Sequence, residues 1–292
     1  MEEFIRKLLT NFVELTIFSL MLSLGLNLTI KQVTLLWRKP KILLSFLLAV
    51  DVLVPIVTLL IVLLLFDLPQ PVKIGLILMA VCPGAPLTTR KIVQAKGNFP
   101  YTVSFQVTVS LLAVITVPLL LAILSSLFPP DVDILPRQVA EQVTFAQLLP
   151  ISIGIAIRET WPQLADDMGK PLTKIANVMF IVLVIFVLVK SLDIVLGLSW
   201  LSVVAIILMT VLSLAIGHLL GGPREDTRTA LAVFCATRNP GLALLIASLN
   251  FPQLGVLPTL VAYALVGALA AIPYLTWRKR IAAQRAEAEM EI

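Results

Sequence analysis

Apolar runs interrupted by proline, glycine or charge occupy most of the chain. A run of about 20 apolar residues crosses a hydrocarbon core about 30 Å thick as a helix, and nine runs of that kind are predicted. They lie at residues 8–28, 42–66, 72–95, 102–127, 139–157, 173–194, 199–220, 227–249 and 254–277. Two of them differ from the rest. The third carries Cys82-Pro83-Gly84-Ala85-Pro86 near its middle, and the eighth carries Arg238-Asn239-Pro240-Gly241. Backbone N–H and C=O groups freed by a break have no water to bond in lipid, at a cost of several kcal/mol each. Such breaks persist only inside protein or beside a water-filled cavity. Two of them at comparable places in successive halves of a chain predict a transporter built of inverted repeats, with its site at the midplane where half-helix ends meet.

Composition agrees. With 59% hydrophobic and 13% charged residues among 292, a water-soluble domain is excluded, and the fold class is an all-α polytopic membrane protein. The net charge of +5 belongs to cytoplasmic loops rather than to a nucleic-acid surface, so the expected partners are lipid and a small anionic ligand. Cys82 and Cys235 both fall in apolar runs, which points to neither a disulfide framework nor a zinc site. The opening Met1-Glu2-Glu3-Phe4-Ile5-Arg6-Lys7 leads into a span with no small-residue cleavage site after it, and no removable signal peptide is expected. The chain reads as one membrane domain over 1–292, in a plasma membrane or a prokaryotic inner membrane, with a solvated helical tail at 278–292.

The breaks also hold the candidate chemistry. Each carries a Thr-Arg pair, Thr89-Arg90 and Thr237-Arg238. Hydroxyls and unwound backbone can replace an ion's hydration shell, while half-helix N-termini and guanidinium groups attract anions. Arg238 is ten residues from Arg228 at the membrane edge, about 15 Å of helix, which sets it near the midplane. Arginine there costs about 2.5–3.5 kcal/mol unless it meets a partner or water, so it is expected to face the cleft. Arg90 divides between that role and snorkelling to the surface, and Lys91 is read as interfacial. Asp51, four residues before Pro55, is the one carboxylate far from a span end in the first half. It is a candidate charge partner for an arginine, proton carrier or ligand of a shifted cation site. Glu14, Lys190 and Asp193 lie near span ends and read as solvated. His218 reads as packed or interfacial. The loop over residues 158–171 is expected to lie along the membrane surface.

Gly25-Leu26-Asn27-Leu28, Trp37-Arg38-Lys39-Pro40-Lys41, Gly75-Leu76-Ile77-Leu78, Cys82-Pro83-Gly84 and Ala95-Lys96-Gly97-Asn98 together resemble the bile acid:sodium symporter family. Ile216-Gly217-His218-Leu219-Leu220-Gly221 and Asn239-Pro240-Gly241-Leu242-Ala243 follow in the same order. The resemblance covers nearly the whole chain. It implies a panel domain and a core domain, with the two broken helices crossing in the core and substrate bound in the cleft between domains. It also implies the nine-helix form of the family and, by association, sodium as the coupling ion.

The chain departs from that family where sodium would bind. Sodium-coupled members have a Ser-Asn pair after the first break, a Ser and a Thr on the next helix, and a Glu and a Gln-Asn on the second broken helix. Here Thr88 and Thr89 stand at the first pair, Thr102 and Gln106 on the next helix, Phe234 at the Glu, and Arg238 before Asn239 at the Gln. Asp51 lies within one residue of the position where the family has a sodium-coordinating Gln before a proline. The carboxylate that would offset the cation's lost hydration is gone. A guanidinium about 5 Å from a sodium ion at an effective dielectric of 20 would repel it by roughly 3 kcal/mol. Thr88, Thr89, Arg90, Thr102, Gln106, Phe234, Thr237, Arg238 and Asn239 are therefore the candidate substrate and ion positions, with the usual sodium sites altered and no other cofactor expected.

The reading that follows is a secondary transporter of a small organic anion working by alternating access, its coupling open between sodium, protons and exchange. A non-transporting sensor with the same fold is the alternative. With one histidine and no His-Glu-x-x-His helix or paired membrane aspartates, an intramembrane enzyme is not expected. Orientation follows from charge: with the C-terminus inside, fourteen Lys and Arg fall on the cytoplasmic side and five on the other. A cysteine introduced at the C-terminal tail is expected to react with an impermeant maleimide from the cytoplasmic face only, and labelling from the external face alone would reverse the topology.

Overall fold

The computed structural model describes residues 2–85, 88–124, 127–128, 134–190, 192–252 and 254–290. Fifteen α-helices run in chain order. They are α1 (Glu2–Leu26), α2 (Ile30–Thr34), α3 (Pro40–Leu47), α4 (Val54–Leu64), α5 (Gln70–Val81), α6 (Thr88–Gln94), α7 (Phe99–Leu124) and α8 (Pro136–Val143). There follow α9 (Leu149–Thr160), α10 (Pro162–Lys190), α11 (Leu192–Leu196), α12 (Trp200–Leu220), α13 (Glu225–Ala236), α14 (Pro240–Asn250) and α15 (Val256–Met290). No strand occurs among the described residues. Two π-helical stretches, Leu48–Leu53 and Thr144–Leu148, join α3 to α4 and α8 to α9, so that Pro40–Leu64 and Pro136–Thr160 are each one continuous span.

Eight helical stretches of the described residues are long and apolar enough to cross a bilayer. The expected ninth, 72–95, falls short of that length because its break divides it into α5 and α6. The second broken span survives as one stretch, Glu225–Asn250, with 89% of its apolar window buried, against 17% for α10. That contrast locates the interior. The α13–α14 span is sheathed by other helices, whereas α10 exposes Ile175, Val178, Ile181, Ile185 and Val189 as lipid would require.

Two expectations change. The segment over 158–171 belongs mostly to α9 and α10, which are parted only at Trp161, so the span expected at 173–194 begins eleven residues earlier, at Pro162. Pro162 at the first helical position suits a helix start, and the Arg158 guanidinium ties the turn, donating to the Leu26 carbonyl (2.6 Å) and to Asp166 (2.6 Å). The tail does continue the last helix through Met290, yet Arg278 is not solvated. It is 4% exposed, donates to Thr229 Oγ1 (2.8 Å) and pairs with the Glu225 carboxylate, which pins α15 to the start of α13.

Helices approach closely where side chains are smallest. A Cβ on Gly25 would meet Gly154 Cα at 2.9 Å, and a Cβ on Gly154 would meet the Leu22 carbonyl at 2.6 Å. Without lipid-phase hydrophobic drive, such close backbone contact is a main source of helix association. Gly154→Leu is expected to separate α1 from α9 and destabilise the protein by about 1–3 kcal/mol; thermal unfolding in detergent checks it, and an unchanged midpoint would show that the two helices do not need the contact.

Candidate functional site

The two breaks meet. Residues 82–85 leave the helical path after α5, and residues 237–239 separate α13 from α14. The Asn239 N–H donates to the Cys82 carbonyl at 2.9 Å, which joins one break to the other by a backbone hydrogen bond. Pro83 and Pro240 account for the interruptions, since each lacks an N–H and neither can carry the ladder. Gly84 makes the first turn possible. Its φ of +66° lies in the left-handed region, and a Cβ there would meet Val109 at 2.7 Å and the Phe234 ring at 2.8 Å.

The break ends the ladder of α5, and Arg238 takes up two of its last carbonyls. Arg238 Nε donates to the Met79 carbonyl (3.0 Å), one terminal nitrogen donates to the Ala80 carbonyl, and both terminal nitrogens lie 3.4 Å from the Val50 carbonyl. The Val50 carbonyl is available for a local reason. In the π register, where Val54 N–H bonds Ala49, the partner of Val50 would be the N–H of residue 55, which is proline. Arg238 is 2% exposed. It lines the central cavity, as its depth predicts, but its donors point into backbone carbonyls. Asp51, in the same π stretch, acts on Arg238 through space without an ion pair inside 4.0 Å.

The positions aligned with sodium ligands are occupied in other ways. Phe234 is fully buried and packs edge-on against Phe46 (5.2 Å between centroids) and Phe105 (6.1 Å), which are themselves stacked at 4.1 Å. Gln106 Nε2 donates to the Gly84 carbonyl (2.9 Å), and Thr102 Oγ1 donates to Asn98 one turn back (2.7 Å). Thr88 Oγ1 and Gln106 Oε1 are buried without a partner among the described residues. The side chains of Thr89 and Arg90 lie outside the described residues.

A cavity of about 150 Å³ opens beside the second break. Ile17, Leu20 and Met21 of α1 and Phe180 of α10 form one wall; residues 236–241, Lys91 of α6 and α15 form the other. At its polar end stands the N-terminus of α14. Asn239 caps that helix by accepting from Leu242 N–H (3.1 Å), while its Nδ2 is buried with no partner among the described residues. Pro240 has no N–H, and the Gly241 N–H has no partner among the described residues. Half-buried Lys91 lines the same cavity and forms no hydrogen bond or ion pair with the described residues. No carboxylate lines it among the described residues. Lys91, read from sequence as interfacial, stands half-buried at the edge of this cavity. His218 is half-buried and bonded through Nδ1 to the Tyr274 hydroxyl (2.9 Å), a packed histidine remote from the cavity lining.

Residues 14–198 match the family model described as the sodium bile acid symporter family, a stretch that includes the first break and stops before the second. No curated protein matches the chain. The aromatic cluster yields a direct test of the break's packing. Phe234→Ala is expected to cost about 3–5 kcal/mol and to lower the thermal midpoint in detergent; a neutral effect would mean that the Gly84 turn does not lean on this ring.

Proposed function

Because the chain belongs to the sodium bile acid symporter family, we propose that this membrane protein is a secondary active transporter of a small organic anion. The observation that carries the reading is the polar end of the central cavity. Gly241 N–H, Asn239 Nδ2 and Lys91 are three donors without partners among the described residues, set at the positive end of the α14 dipole with no carboxylate beside them. A helix N-terminus with unfilled N–H groups binds anions, and an ammonium group adds a charge-assisted bond. The opposite wall is apolar and suits a hydrocarbon body. A cavity of about 150 Å³ holds a molecule of about benzene's size, so the cargo in this conformation is a compact carboxylate rather than a steroid.

Alternating access supplies the mechanism. The α1, α8–α9 and α10 helices act as the panel, and the helices around the breaks act as the core that moves against it, the two halves being inverted repeats. A second, wider cavity of about 790 Å³ lies between α1, the π-containing span Pro136–Thr160 and α14. It shares α1 and α14 with the central cavity, and serves as the vestibule on the side of the N-terminus, taken as external. Motion of α14 past α1 would pass the anion from one compartment to the other. Thr237 sits in the second break and lines the central cavity, where its hydroxyl can meet the anion.

The experiment is uptake of a panel of short radiolabelled monocarboxylates into proteoliposomes, each with its neutral amide as control, by wild type and Lys91→Met. Saturable uptake of at least one acid and none of its amide is expected, with KM raised about tenfold in the variant. Equal uptake of acid and amide would remove the anion site. An unchanged KM would remove Lys91 from it.

A further inference from the structure

One helix end and one mid-span carbonyl meet at the junction of the breaks. The C-terminus of α5 offers the carbonyls of Met79 and Ala80, the π stretch offers Val50, and the α5 macrodipole adds its negative pole. Asp51 lies next to Val50 in the same π stretch. An electronegative seam of this kind, buried in the bilayer, needs a cation to be stable. A guanidinium is planar, is always charged and carries five donors in a fixed fork, so one group can serve carbonyls from two helices at once. Arg238 does so, fully buried and held from the opposite break.

We infer that Arg238 is a tethered cation: it fills the seam that a mobile metal ion would otherwise occupy, and the transport cycle proposed above, on which this inference rests, runs without sodium. The oxygens left over do not make a sodium site in its place. Among the described residues, Thr88 Oγ1 and Gln106 Oε1 are the buried, unpartnered oxygens at the first break. Both are neutral, and the position that would bring a carboxylate to them holds Phe234 in an aromatic cluster. Sodium loses its hydration there with no anionic group to offset the loss, while the guanidinium already present repels it. The arginine thus has a conformational consequence. A diffusible ion leaves the seam in each cycle, whereas a tethered one keeps α5 and the second break joined throughout, so that the core moves as one body.

Thermal unfolding of the full chain in detergent, in choline, sodium or guanidinium chloride at equal millimolar concentration, tests the tether directly. The wild-type midpoint is expected to be the same in sodium and choline. Arg238→Ala is expected to fall on the order of 10 °C and to recover part of that loss in guanidinium or sodium but not in choline. Arg238→Lys, which keeps the charge with fewer donors, is expected to fall less and to show no recovery. A saturable, sodium-specific rise in wild type overturns the inference whether or not the variants fold, and so does an Arg238→Ala protein indifferent to the cation. Uptake of the monocarboxylate panel with choline replacing sodium separates the two readings. Equal uptake is expected; uptake only with sodium overturns the tether, and no uptake in either salt overturns the transport reading while leaving the unfolding result to stand.

Discussion

A helix broken inside a bilayer must bond its freed carbonyls and amides to protein, because lipid offers nothing. The rest of this structure is organised by that requirement. Breaking α5 at Pro83 ends its ladder with carbonyls exposed; the other break answers with the Arg238 guanidinium and the Asn239 N–H. Each interruption is therefore tolerable only in the presence of its counterpart. Pro55 adds a third freed carbonyl from a neighbouring span, and the π register delivers it to the same guanidinium. A single side chain closes three gaps from two helices.

The burial pattern follows from the same requirement. The helix that carries the arginine is the most enclosed of the eight spans, and the long α10 is the least. Two charged groups at the α13 end of the bundle are engaged by neighbours. Arg278 is clasped by Glu225 and Thr229, and Asp226 accepts from Asn98 across the α7–α13 contact while pairing with Arg224. Among the described residues, the unpartnered donors at the α14 N-terminus line the central cavity together with Lys91. They are where a ligand's charge would be received, and their position beside the meeting point of the half-helices ties binding to the element that must move.

Much of this was legible in the chain. Span positions follow from the length of apolar runs, and both breaks follow from Pro-Gly and Asn-Pro-Gly inside otherwise apolar sequence. That Arg238 needs a partner follows from its ten-residue distance from Arg228, and it is buried. Direction was not legible. Sequence spacing sets how far along a helix a residue lies but not what it faces, so an arginine expected to greet an anion in the cleft turns out to bond carbonyls. The π stretch at Leu48–Leu53 has no sequence signature beyond Pro55, since its freed Val50 carbonyl finds its donor in Arg238, which is distant in sequence. The start of α10 and the docking of Arg278 depend on tertiary partners, Leu26 with Asp166 and Glu225 with Thr229, that local pattern cannot name.

The central claim is that paired breaks enclose a compartment that water-soluble anions enter. Cys82 and Cys235 are fully buried, so a cysteine at residue 237 would report on that compartment with little background. The direct measurement is the rate at which a Thr237→Cys protein in sealed vesicles reacts with a small charged thiol reagent, with and without a saturating monocarboxylate. The account predicts reaction from an aqueous face and protection by the carboxylate. No reaction from either face, with a lipid-facing control equally silent and the protein folded, would show the breaks to be dry packing and would contradict it.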